Sequence, residues 1–232
     1  MSTYRIFYGL QREPFCQDMK AEDLMKSDSM VAAQQRVQFA IGLCAVAVLT
    51  GDIGSGKSSA LRFACSKLHT SEVQDPLSDR HIRLGDRAVQ ADVLCTGYRN
   101  KGNLQSNPYH DDPHDLARAR QKPVIIIDEA SLMRLDVFTE FHTIAQFEGD
   151  SKPILAMILA GQNNLIDYLM FEQSRSLASR VVAKGHMEAL KKQETAQYLQ
   201  HHLRIAGTKE NLFSEQAVTA IHQGSAGLLR RA

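Results

Sequence analysis

The chain has 232 residues, of which 44% are hydrophobic, and carries a formal net charge of +1. That length fits one α/β domain with a small lid, and the near-neutral charge supplies no acidic or basic tail that would force a nucleic-acid or membrane reading. No apolar run reaches membrane-span length, the polar and aromatic start lacks a signal peptide, and Cys16, Cys44, Cys65 and Cys95 lack metal spacing, so a cytoplasmic protein with reduced thiols and no membrane partner is expected.

Residues 1–15 form a short arm with Tyr4, Phe7, Tyr8, Leu10 and Phe15, read both as a strap over the core and as one wall of an adenine pocket. Ser29 to Leu43 has helical spacing, with Val31, Gln35, Phe39 and Leu43 in or near one stripe. Residues 45–50 are an apolar run of strand length. Gly51-Asp52-Ile53-Gly54-Ser55-Gly56-Lys57-Ser58 follows, a G-x-x-x-x-G-K-S phosphate-binding loop, and a helix to about Leu68 opens on it with Ser59. Backbone N–H groups and the helix dipole converge there on phosphate. Lys57 is expected to reach the β- and γ-phosphates, and Ser58 to ligate Mg²⁺.

Residues 73–122 break the pattern. Charges and breakers such as Asp75-Pro76, Asn107-Pro108 and Asp111-Asp112-Pro113-His114-Asp115 are scattered through them, and no convincing strand stands out. Three accounts stay open. One is a long disordered insertion. The second is a metal loop from Asp111, Asp112, His114 and Asp115. In the third, two compensating frameshifts scrambled the segment. Read one nucleotide later with permitted codons, Val73–Arg80 becomes a strand and Asp86–Tyr98 an amphipathic helix. The coding DNA separates these accounts. Loss of a core strand would leave its neighbours with unpaired edges, at roughly 1–3 kcal/mol per orphaned polar group.

Val124-Ile125-Ile126-Ile127-Asp128-Glu129 suits a central parallel strand tipped by two acids. Asp128 is placed to hold Mg²⁺ and Glu129 to polarise the attacking water; both also suit a helix start, and the readings are compatible. A helix is expected over 133–147 and a third buried strand over 154–160, ending in Gly161-Gln162-Asn163-Asn164. A short helix over 165–171 leads through Arg175–Ser179 to Arg180 and a short strand at 181–183. Beyond Leu190 the pattern is helical, over 194–205 and 214–223, with His201-His202 expected on the lid surface. A last helix should start near Gly227, and the chain ends at Ala232, which suggests a truncated lid.

These motifs resemble the AAA+ ATPases, and among them the ExeA/general-secretion-pathway-A type, close to TniB-like transposition helpers and more distantly to MuB- and IstB-like ones. Tyr8-Gly9-Leu10…Pro14-Phe15 looks like that family's aromatic opening, and Leu159-Ala160-Gly161-Gln162 like its sensor strand end. Leu177-Ala178-Ser179-Arg180-Val181 and Gly227-Leu228-Leu229-Arg230 look like its later signatures. The resemblance implies an α/β P-loop NTPase with a parallel sheet flanked by helices over 1–187 and a helical lid over 188–232. It implies Gln162 as sensor 1, with Asn163 as second choice, Arg180 as an arginine finger acting on a neighbouring subunit, and Arg230 as sensor 2. It further implies ATP and Mg²⁺ as cofactors, held by residues 51–59, Asp128 and Arg230. A homo-oligomer is expected, with a transposase and DNA as further partners and a role in transposition. The alternatives are a degenerate, non-catalytic binding module and a secretion-assembly ATPase.

Overall fold

The computed structural model describes residues 3–16, 19–67, 79–84, 87–96, 122–145, 155–208 and 210–231. Strands β1 (Val46–Gly51), β2 (Asp79–Leu84), β3 (Arg87–Thr96), β4 (Lys122–Ile127), β5 (Ala156–Gly161) and β6 (Val181–Met187) form one sheet in the order β2-β3-β4-β5-β1-β6. The four strands β4, β5, β1 and β6 run parallel.

Central parallel strands are covered on both faces, so every residue must be apolar and the period-two alternation vanishes from the sequence. Ala47, Leu49, Ile126 and Ile158 pack on one face against α2 (Asp28–Gly42) and α3 (Lys57–Ser66). Val46, Val48, Ile125, Ile127, Met157 and Leu159 pack on the other, against Phe138 and Phe141 of α4 (Leu135–Ala145), Leu165 of α5 (Asn164–Met170) and Leu177 of α6 (Arg175–Ala178). Ser27 starts α2 by accepting a hydrogen bond from the Met30 N–H. The lid pairs α7 (Lys192–Ala206) with α8 (Glu215–Ser225), and Ser214 caps the latter through the Ala217 N–H.

The arm is a strap on this lid. A short helix, α1 (Thr3–Phe7), precedes it, and Leu10 packs on Leu203 and Ala206 of α7. The Gln11 N–H and the Arg12 Nε donate to the Ala206 and Ile205 carbonyls, each at 2.7 Å.

Three expectations need correction. Residues 79–96 were expected to hold no strand, yet β2 and β3 form an antiparallel hairpin, and β3 pairs antiparallel with β4 from Asp92↔Ile126 to Thr96↔Lys122. The edge of β4 is therefore paired. The signal is weak because β2 is mostly charged and β3 alternates only from Val89 to Val93, with Gln90 and Asp92 between the apolar residues, rather than forming a continuous apolar run. The metal loop at 111–115 lies outside the described residues, as does the shifted-frame strand except for Asp79 and Arg80, which open β2. In place of a last helix near Gly227, turns run to Arg231, whose N–H reaches the Leu228 carbonyl at 3.0 Å. The strand at 181–183 extends to Met187, because β1 pairs with it along its whole length.

Candidate nucleotide site

Parallel strands end together. The register pairs Thr50 with Gly161 and Ile127 with Leu159, so the loop after β1, Asp128 after β4 and Gln162 after β5 share one sheet edge.

The loop is built by two glycines. Gly54 and Gly56 take φ of +85° and +96°, which L side chains rarely adopt. A Cβ on Gly56 would also stand 2.7 Å from the Leu229 Cδ1. Gly56 then caps α3 in a left-handed conformation and turns the first helical N–H groups toward the loop. Lys57 is buried, and its Nζ donates to the carbonyls of Gly51 at 3.0 Å and Asp52 at 2.9 Å. Ser55 is 3% exposed and its Oγ has no hydrogen-bond partner among the described residues. A buried orphaned hydroxyl is costly unless something completes it.

The Ser58 Oγ donates to the Asp128 Oδ2 at 2.5 Å. The Asp128 Oδ1 accepts from the Glu129 N–H at 2.9 Å. Hydroxyl and carboxylate oxygens are the donor set a hard divalent cation takes, and here they lie side by side. Glu129 is exposed in the cleft with φ +54°, a strained backbone for a non-glycine residue. That conformation breaks the strand and starts the turn Ala130–Leu132. The Ser131 Oγ accepts from the Gln162 N–H at 3.1 Å, fastening the end of β5 to the residues after Asp128.

A cleft of about 860 Å³ runs from this loop to the arm and lid. Among the described residues its walls carry Lys57, Arg62, Arg230 and Arg231 against one acid, Glu129, a balance that suits a polyphosphate. The Arg230 N–H donates to the Gly54 carbonyl at 3.2 Å, which brings the lid's last turn onto the loop. Arg180 stands apart from the cleft lining, and its Nε donates to the His142 Nδ1 at 3.3 Å on α4. Among the described residues no group of three or more His, Cys, Asp and Glu side chains could hold a metal ion, and no helix is long and apolar enough to cross a membrane.

Arm and lid bring an aromatic cluster to the lining of the same cleft. His202 was expected on the lid surface but is 4% exposed. Phe15 stacks on it with ring centroids 5.1 Å apart, and Tyr198 lies at 4.3 Å. Burial lowers the His202 pKa, the hydrogen bond to the Pro14 carbonyl opposes this, and His201 adds to it. Burial also raises the Tyr198 pKa. The signal was present: Thr195, Leu199, His202, Leu203 and Ala206 form the buried stripe of α7 at helical spacing.

A glycine-rich loop opening a helix, an acid-tipped strand beside it and a helical lid above define a P-loop NTPase fold. The AAA domain family matches residues 42–169, and the chain belongs to that family. It is 26% identical over 231 residues to the general secretion pathway protein A of Aeromonas hydrophila, covering 98% of this chain. The chain spans 42% of that relative's length. The crystal structure of Cdc6p from Pyrobaculum aerophilum is similar over 90% of this chain and 57% of its own, with a TM-score of 0.59 at 14% identity, a likeness of fold.

Proposed function

We propose that this chain binds ATP with Mg²⁺ in the cleft and hydrolyses it. The observation that carries this is the Ser58–Asp128 hydrogen bond, which joins the phosphate loop to the acid-tipped strand where a cation would be shared. When bound, Mg²⁺ would neutralise charge on the β- and γ-phosphates. The chain's own residues do the rest. Residues 51–59 cradle the phosphates, with the Ser55 hydroxyl finding its acceptor there and Lys57 turning from its carbonyl partners toward them. Glu129 takes a proton from water, Gln162 orients that water, and Arg230 follows its own backbone onto the loop. Arg180 acts in a neighbouring copy, which accords with its place outside the cleft of its own chain. The test is steady-state turnover of ATP by the purified chain beside Glu129→Gln. The variant should bind ATP as before and lose about 10²- to 10⁴-fold in turnover, the ordinary worth of a general base. Equal turnover would reduce Glu129 to a turn residue.

For the biological task, the motif resemblance supports a transposition helper that meets a transposase and DNA. The similarity to general secretion pathway protein A along 98% of this chain favours a second reading, a secretion-assembly ATPase. Purified transposase, supplied with target DNA, should raise turnover on the first reading and leave it unchanged on the second.

A further inference from the structure

His202 lines the cleft from α7, although it is otherwise buried. Its Nδ1 lies 2.9 Å from the Pro14 carbonyl oxygen. A carbonyl only accepts, so Nδ1 carries a proton. Burial is the largest influence on the ring and holds its pKa below the usual histidine value, which keeps it neutral near pH 7. A neutral imidazole protonated on Nδ1 has only a lone pair on Nε2. Among the described residues that nitrogen has no hydrogen-bond partner. Phe15 and Tyr198 fix the plane of the ring. Lys57 and Ser58 line the same cleft as Phe15, Tyr198 and His202. A nucleotide with its phosphates on the loop has the rest of this cleft for its base, and His202 belongs to that lining.

We infer that His202 selects the base: its Nε2 accepts a hydrogen bond from the 6-amino group of adenine and turns away a 6-oxo purine. The inference rests on the nucleotide reading above and adds a base preference to it. A 6-oxo group is itself an acceptor. Set against the Nε2 lone pair, it leaves two acceptors facing each other without a proton, away from bulk water. Such a mismatch weakens binding roughly ten- to a hundredfold.

The experiment is calorimetric titration of the full chain with ATP, with inosine triphosphate and with purine riboside triphosphate, each with Mg²⁺. ATP should bind roughly ten- to a hundredfold more tightly than inosine triphosphate, with the unsubstituted purine between them. His202→Phe keeps an aromatic ring against Phe15 and should bring ATP and inosine triphosphate within about threefold of each other, mainly through weaker ATP binding. Equal affinity of the unaltered chain for ATP and inosine triphosphate overturns the inference, with no variant needed. So does a purine riboside that binds as tightly as ATP, or a His202→Phe chain that keeps the native ratio. Failure of the nucleotide reading looks different: the unaltered chain then binds none of the three, or Lys57→Ala binds all of them unchanged, and the base preference falls with it.

Discussion

Ser55 is the residue of the loop whose side chain is most tightly enclosed without a partner among the described residues. Its hydroxyl is buried and has no hydrogen-bond partner among the described residues. Such a group costs roughly 1–3 kcal/mol while unsatisfied. Ser55→Ala should therefore leave the free chain as stable as before or more so, while weakening ATP binding about tenfold. Thermal melting and nucleotide titration, run side by side, separate the two effects; a variant that loses stability without losing affinity would make Ser55 merely structural. The glycines and Lys57 were legible from sequence, because only certain residue types permit a backbone to wrap phosphate. The orphaned state of Ser55 was not, since it comes from the folded loop, which sets its Oγ against Gly51, where a Cβ would stand 2.7 Å away.

At the scale of elements, the contact between arm and lid carries a pH dependence. The His202 pKa is lowered in the folded chain from the ordinary 6.5, by burial above all. Protonation then favours the unfolded chain, so the contribution of His202 is whole above about pH 6.5 and is lost as pH falls through the folded value. Against it on α7 stand Tyr198 and His201, and the arm brings Pro14 and Phe15, which do not titrate. The melting temperature should fall on acidification from pH 7.5 to 5.5, and His202→Phe should flatten that slope. An unchanged slope would remove His202 from the account. A second element, the turn from α6 into β6, holds Arg180 against His142. If Arg180 works in trans, its loss alone should lower turnover on the order of 10³-fold, and mixing Arg180→Ala with Lys57→Ala protein should restore part of it. Absence of rescue in mixtures shown to co-assemble would confine Arg180 to its own chain. Helical spacing made the lid helices visible in the sequence; for α2 it found the helix but the wrong face, since Phe39 and Leu43 are exposed while Ala33, Val37 and Ala40 are buried. The inward turn of His202 went unseen because two adjacent histidines suggest a solvated face, whereas the period of α7 buries the second.

For the molecule as a whole, stability rests on a sheet covered on both faces. Phe138 and Phe141 are fully buried and meet edge to face at 6.4 Å. Phe138→Ala should cost about 3–5 kcal/mol out of a usual total of 5–15. Urea denaturation measures this, and a loss under 1 kcal/mol would mean that the helical layer on that face is dispensable. The parallel strands announced themselves in the sequence because both their sides are buried. The β2–β3 hairpin did not, since polar residues interrupt both its strands and its pairing with β4 joins positions far apart in the chain.

The strap has one further consequence. It is fastened to the lid at Gln11, Arg12 and Pro14, and to the core at Met19, whose carbonyl accepts from Arg62 on α3. The five steps from Pro14 to Met19 can stretch to no more than about 17 Å. While both fastenings hold, that length of chain is a tether. It caps how far the lid can swing from the phosphate loop, and any wider excursion must first release the Pro14 carbonyl from His202 or the Met19 carbonyl from Arg62.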